Sequence, residues 1–331
     1  VKSYRINIIV LFLTVTFCLL ITEFIAIAIF TPDKNIVFID PTTGQYNDYV
    51  LVNNSKINYV LKEGSFHGEV NQYHFRDLKS ATNNYTNRKI VIIGDSVTFG
   101  AEIQIEQRFS DLLEQKLNDA DNSTNEVWNL GVPGYNLIQS IEFYRQFGYF
   151  LNPGTIVLAI NPTDSAASPK VKKSGDLFRL SYPPNIYLYV IPLPEKLNLF
   201  MFKHSISYNF LNEKLVIMFN KVGLSNKVRI LDYGMSELTE HLTDFNTELR
   251  KKNVHLIVIV TPFLYDFDRY PLDYQKFHEL IRVICKMNNI THHDFLFEFS
   301  NYMPEILKIK EGDSIHLNFY GQELIASKLY E

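Results

Sequence analysis

The feature that most constrains this chain is the stretch KIVIIGDSVTFG at residues 89–100. Four consecutive aliphatic residues, Ile90, Val91, Ile92 and Ile93, stop at Gly94-Asp95-Ser96, and a polar, amphipathic segment follows. A short apolar run bounded by a turn reads as a buried strand. The order strand, tight turn, helix holds the central residue of the turn at the carboxyl edge of a sheet, where ligands bind in α/β folds. Ser96 is therefore a candidate nucleophile. Taken alone, the pattern also fits an ordinary turn or helix-capping serine, a role this residue type often fills.

From residue 89 onward strand and helix patterns alternate, the signature of a parallel sheet. Strands are expected over 90–93, 126–130, 155–160 and 254–260, with a short fifth near 290–294. Helices are expected over 106–117, with Phe109, Leu112, Leu113 and Leu117 on one face, and over 137–150, 235–251, 274–287 and 321–329. These intervals predict a three-layer α/β/α sandwich around a mostly parallel five-stranded sheet. Between the third and fourth strands lies an insertion, 165–232, proline- and aromatic-rich at first and helical over 205–220. Loops this long are uncommon unless they cover a site or bind something. Three readings stay open: a substrate-facing lid, a membrane-lying segment, and a peripheral subdomain that protects a sheet edge.

The N-terminus carries Lys2 and Arg5 ahead of an apolar run, 6–30, whose only charge is Glu23. That length approaches the ~20 residues that cross a bilayer and exceeds the core of a signal peptide. Basic residues on the short side place that end in the cytoplasm. An uncleaved anchor is the favoured reading, with a signal cleaved near Ala26-Ile27-Ala28 as the alternative; either exports the remainder. Residues 31–88 then form a juxtamembrane linker and, over 46–77, two or three short strands making a small ribbon, and 89–331 form the α/β domain. Of the 331 residues, 46% are apolar and 21% charged, ample material for a core. The net charge of −4 with no basic block gives no sign of nucleic-acid binding. Tyr and Phe are plentiful, at 20 and 25, and are read chiefly as core. Cys18 lies in the apolar run and Cys285 in an expected helix, so neither a disulfide nor a cysteine metal site is expected.

Serine chemistry needs a base, a group that orients the base, and donors for the oxyanion. The segment Asp313-Ser314-Ile315-His316-Leu317-Asn318, just before the last helix, supplies the first two. Three residues apart on a tight loop, Asp313 can hold one imidazole nitrogen of His316 while the other faces Ser96, the logic of a Ser-His-Asp triad. Gly94-Asp95-Ser96-Val97 near the start, Asp313-x-x-His316 near the end and Asn129-Leu-Gly-Val-Pro-Gly134 between them resemble the SGNH or GDSL hydrolase superfamily, over about 75–329.

The resemblance implies a flavodoxin-like, SGNH-type fold, with Ser96 as nucleophile and first oxyanion donor through its backbone N–H, His316 as base and Asp313 as its partner. It implies Gly134 as second donor, with Gly131 the lesser alternative. The third block departs from the pattern: where Asn-Asp is usual, this chain has Asn161-Pro162-Thr163-Asp164, so that Asn161 and Thr163 are equal candidates for the third donor. Losing one donor typically costs ~10²- to 10³-fold in turnover. Asp95 is read as a structural acceptor. Phe75-Arg76-Asp77 resembles a short motif of some exported members, although an ordinary ion pair is the favoured role for Arg76. His292, His293 and Asp294 form the other cluster of ligand-type residues, but adjacent histidines on a strand face opposite ways, so no metal is assigned. The expectation is a cofactor-free, membrane-anchored serine esterase acting on an O-acyl ester, chiefly acetyl, of an envelope carbohydrate or lipid. The alternatives are an O-acyltransferase modifying an exported polysaccharide, and a catalytically degenerate glycan-binding or scaffold domain.

Overall fold

In a computed structural model of the chain, the aliphatic run before Ser96 is strand β1 (Arg88–Gly94) at the centre of a five-stranded sheet. The residues described are 14, 17–18, 21–23, 25, 35–36, 48–79, 88–121, 124–162, 164, 170–174, 177–181, 186–221, 229–232 and 235–331. They fall into two compact units, one of Val1–Ile36 with Pro184–Tyr233 and one of Val37–Pro183 with Gly234–Glu331.

The larger unit holds the sheet. Strands β2 (Asn125–Gly131), β3 (Thr155–Ile160), β4 (His255–Val260) and β5 (Thr291–Asp294) join β1 in the order β5-β4-β3-β1-β2, all parallel. Successive side chains of a strand point to opposite faces, and here both faces are buried: Val91 and Ile93 enter one apolar cluster and Ile92 the other. This is why β1 reads as an unbroken aliphatic run and not as an alternating one. On the face of Ile92 lie α1 (Phe109–Asp121) and α5 (Phe319–Tyr330), which pack together and contribute Phe109, Leu112, Leu113, Ile325 and Ala326. The opposite face is covered by α2 (Leu137–Phe143), α3 (Met235–Lys251) and α4 (Leu272–Met287). Leu238, Leu242, Phe245 and Leu249 of α3 recur at helical spacing and are fully buried.

One helix differs from the sequence expectation. The helix expected over 137–150 is regular only to Phe143; a wide π turn, Tyr144–Gly148, and a 3-10 turn, Tyr149–Leu151, complete it. Gly148 lets that turn press on Leu130, whose side chain lies 2.4 Å from where a Cβ would stand. Residues 48–79 contain two short antiparallel strands, Tyr49–Leu51 and Tyr59–Leu61. Their Tyr59, Val60 and Leu61, with Phe75, are buried in the same cluster as β1 and β2. The insertion contributes an antiparallel hairpin, Lys170–Ser174 with Leu177–Ser181, to the larger unit. The smaller unit takes the strand pair Ile186–Tyr189 and Arg229–Asp232, and the helices Glu195–His204 and Ile206–Lys221. Most of the apolar run 6–30 lies outside the described residues; among those described, no helix is long and apolar enough to cross a membrane.

The order 2-1-3-4-5 reverses direction between β1 and β3, and a crevice opens at the carboxyl ends of the strands on either side of such a reversal. Ser96 lies two residues beyond the end of β1, and Asn161 directly follows the end of β3. Close approach at this edge is set by Gly131, opposite Gly94 in the register. A Cβ on Gly131 would stand 2.3 Å from the backbone nitrogen of Phe99 and 2.7 Å from the carbonyl carbon of Thr98, neither of which can swing aside. Gly131→Ala is therefore expected to destabilise the larger unit by about 1–3 kcal/mol in urea unfolding. Gly154→Ala, where an added Cβ meets nothing within 4 Å, serves as the near-neutral control.

Candidate active site

Ser96 opens a four-residue helix, Ser96–Phe99, and is half-buried. Asp95 caps that helix, its carboxylate accepting the N–H of Val97 at 2.9 Å. The loop before α5 brings in the other two residues: His316 Nε2 lies 2.9 Å from Ser96 Oγ, and His316 Nδ1 lies 2.8 Å from Asp313 Oδ2. With Nδ1–H donating to Asp313, Nε2 is left to accept the Ser96 hydroxyl, the tautomer a general base needs. Asp313 Oδ1 also accepts the backbone N–H groups of Ile315 and His316, at 2.8 and 2.9 Å. Partial burial alone would raise the Asp313 pKa, but these hydrogen bonds and the imidazole outweigh it and hold the carboxylate below its ordinary range.

The loop is itself held. Ile309 N–H donates to the His316 carbonyl, Asn318 N–H to that of Leu307, and Leu264 N–H to that of Ser314. Gln322, buried in α5, accepts the N–H of Phe109 at 2.8 Å and donates to the carbonyl of Val97 at 3.3 Å. One side chain thus joins α5, which follows the His316 loop, to α1 and to the short helix bearing Ser96. Nothing in the local sequence singles Gln322 out; its position beyond the DSIHLN segment was the available signal.

Gly134 lies in the turn after β2, with φ of 78°, at the third position of a Val132-Pro133-Gly134-Tyr135 turn closed by Tyr135 N–H to the Val132 carbonyl. That turn is braced by the short strands: Tyr59 Oη donates to the Pro133 carbonyl at 2.8 Å, and Tyr135 Oη donates to the Tyr59 carbonyl. Gly131 is occupied structurally, its N–H donating to Asn129 Oδ1. The Asn129 amide donates in turn to the Thr98 carbonyl and Ser110 Oγ, at 2.6 and 2.8 Å, tying β2 to the Ser96 helix.

In the third block Asn161 is buried against Asp95, the residue before Ser96. Its Nδ2 donates to Asp95 Oδ2 at 2.8 Å, and its backbone N–H donates to Asp164 Oδ2 at 2.7 Å. Thr163 lies outside the described residues. Burial raises the pKa of Asp95 despite the opposing hydrogen bonds from Val97 and Asn161. Burial, with the nearby Asp95 charge, raises Asp164 well above the carboxylate range.

Arg76 does more than form one ion pair. Besides Glu69, at 2.6 Å, its buried guanidinium donates to the carbonyls of Phe99, Gly100 and Ile103 and lies over the Phe99 ring. It clamps the segment that leaves the Ser96 helix, and Arg108 donates at 2.6 Å to the carbonyl of Arg76 itself. His292 and His293 are adjacent on β5; His293 pairs with Glu298 at 2.9 Å, and Asp294 with the buried His278 at 2.8 Å. Among the described residues, no three metal-ligating side chains gather.

No family model matches this chain, and no curated protein matches it in sequence. Solved structures similar to it include a lipase/acylhydrolase from Enterococcus faecalis, 16% identical, with a TM-score of 0.46 over 73% of this chain and 93% of that one. A catalytic mutant of an acetylxylan esterase from Geobacillus stearothermophilus is 11% identical, with a TM-score of 0.45 over 75% and 94%. A protein assigned to the G-D-S-L lipolytic family, from Desulfitobacterium hafniense, is 16% identical, with a TM-score of 0.43 over 74% and 98%. That family is the one the terminal motifs resemble.

The Asp164 carboxyl gives a test of the site's electrostatics. A carboxyl whose folded pKa is raised contributes stability below its ordinary pKa and loses it as pH rises through the folded value. Asp164→Asn keeps an oxygen for the Asn161 N–H and removes the ionisation. Thermal unfolding should show the variant gaining on the native protein as pH is raised from about 4.5 to about 8, with the gap closing on the acid side.

Proposed function

We propose that this protein is a serine esterase in which Ser96, His316 and Asp313 form the catalytic triad. The observation that carries the reading is the continuous chain from Ser96 Oγ to His316 Nε2 at 2.9 Å and from His316 Nδ1 to Asp313 Oδ2 at 2.8 Å, at the carboxyl edge of the sheet. Ser96 Oγ attacks the ester carbonyl carbon while His316 Nε2 takes its proton, and Asp313 stabilises the imidazolium. The tetrahedral oxyanion is received by the backbone N–H groups of Ser96 and Gly134 and by the Asn161 amide, which Asp95 holds next to the nucleophile. The imidazolium returns the proton to the departing alkoxide, leaving an acyl-Ser96 ester. His316 then deprotonates the water that hydrolyses it.

The apolar N-terminal run, with its basic flank and single internal charge, supports an exported, membrane-anchored protein whose N-terminus is cytoplasmic. An exported esterase of this type meets O-acylated carbohydrate or lipid of the cell envelope, and the resemblance favours acetyl as the acyl group. A sugar hydroxyl can reach the same acyl-enzyme carbonyl as water does. Mass spectrometry after incubation with an acetyl donor and an oligosaccharide separates the two fates: free acetate alone supports hydrolysis, and acetylated sugar supports transfer.

With an activated acetate ester, Ser96→Ala should lower kcat by about 10⁶-fold, and Asp313→Asn should lower it by about 10⁴-fold through loss of the working tautomer. An unchanged rate in either variant would contradict the triad. Asn161→Ala should lower kcat by about 10²- to 10³-fold with KM little changed, since an oxyanion donor acts mainly in the transition state.

A further inference from the structure

Among the described side chains of the smaller unit, the two helices bury polar residues and expose large apolar ones. Asn198, in the helix Glu195–His204, is 0% exposed; its amide donates to the Leu193 carbonyl at 2.9 Å and its carbonyl oxygen accepts the Tyr208 hydroxyl. Asn212, in the helix Ile206–Lys221, is 2% exposed and accepts the N–H of Val190 at 3.2 Å. On the outward faces of the same helices Phe200 is 56% and Leu211 53% exposed, and Leu197, Phe210 and Met218 are exposed too. A helix that packs in a water-soluble core buries its apolar stripe and shows its polar one. Here the satisfied polar side chains face in and the large apolar ones face out, the arrangement suited to a lipid surround.

The N-terminal segment belongs to the same unit. Phe17, Ile21 and Ile25 recur at four-residue spacing and are exposed. Glu23, the single charge of the run 6–30, turns to the helix pair: its carboxylate accepts the Ile206 N–H at 2.5 Å, the Ser205 hydroxyl at 2.7 Å and the Ser207 N–H at 3.3 Å. The Ser207 hydroxyl donates to the Thr22 carbonyl at 3.2 Å. An otherwise unwelcome carboxylate in an apolar run is thereby spent on the start of the helix Ile206–Lys221 and the turn before it.

Neither insertion helix can span a bilayer. The longer, of 16 residues, reaches about 24 Å at ~1.5 Å per residue, short of a core about 30 Å thick. It also carries Lys214 in mid-helix, exposed, with its ammonium 5.3 Å from the Phe210 ring. A lysine beside outward apolar residues suits a helix lying in the plane of the interface, its stem among the acyl chains and its charge among the headgroups. We propose that the helices Glu195–His204 and Ile206–Lys221 lie in the interface of a lipid bilayer with their apolar faces in the acyl region, docked through Glu23 on the membrane-entering N-terminal segment. This rests on the reading of residues 6–30 as membrane-entering and is independent of the ester chemistry at Ser96.

The test uses the full chain reconstituted in phosphatidylcholine vesicles, with and without brominated acyl chains, and three single variants, Ile21→Trp, Phe200→Trp and Leu211→Trp. Trp128, buried in the sheet unit, gives a constant background that also reports folding of that unit. Bromolipid is expected to quench the added emission of all three variants by roughly half. Quenching of Ile21→Trp without Phe200→Trp and Leu211→Trp would overturn the proposal while leaving the anchor intact, and would assign the apolar faces to a protein partner. Quenching of none would overturn the anchor and the docked helices together. Adding Glu23→Ala should weaken quenching of Phe200→Trp and spare Ile21→Trp; equal quenching with and without Glu23 would remove its docking role.

Discussion

The contact between Ser96 Oγ and His316 Nε2 joins residues 220 apart in sequence and requires the end of β1 and the loop before α5 to meet within a fraction of an ångström. The rest of the larger unit reads as the means of holding that distance. Gln322 fastens α5 to the first turn of α1 and to the Ser96 helix. Asn129 fastens β2 to the same helix, and Arg76 clamps the segment that leaves it. Each uses a buried polar side chain bonded chiefly to backbone groups, so each restrains geometry without leaving an unpaired charge or amide in the core. A loosely held serine and histidine would forfeit most of the advantage of proximity, since small misplacements cost rate steeply.

The carboxyl groups around Ser96 show an electrostatic contrast. Asp313, partly buried but supplied with three donors, is held below the ordinary carboxylate range, while Asp95 and Asp164, buried and close together, are both pushed toward the neutral form. Asn161 mediates between the buried pair, giving its side-chain N–H to one and its backbone N–H to the other. This arrangement gives the unusual third block a physical role: Asn161 is fixed by Asp95, the residue before Ser96, and the turn behind it is closed by Asp164.

Much of this was legible in the sequence, for identifiable reasons. Strands buried on both faces show as continuous aliphatic runs, so β1, β3 and β4 stood out from composition alone. Asp313 and His316 lie within one short loop, which made their pairing a local inference, and the strand–turn–serine pattern located its partner. What depended on distant contacts was hidden. Arg76 looked like a surface charge because the carbonyls it binds lie 23 to 27 residues away. Gln322 looked like any helix glutamine. The helix expected to 150 changes winding at Tyr144 because Gly148 must fit against Leu130, a neighbour no periodicity reveals. Nothing in the sequence marks Asn198 or Asn212; their burial, beside exposed Phe200 and Leu211, is visible only in the fold.

The account turns on Ser96 being an activated nucleophile and not a helix-capping serine. The most direct measurement is covalent labelling with a serine-reactive fluorophosphonate, followed by intact-mass analysis and peptide mapping. The structure predicts a single adduct, located on Ser96, that forms rapidly in the native protein and is absent from Ser96→Ala. An inert native protein, or an adduct that persists at another residue in the variant, would contradict it.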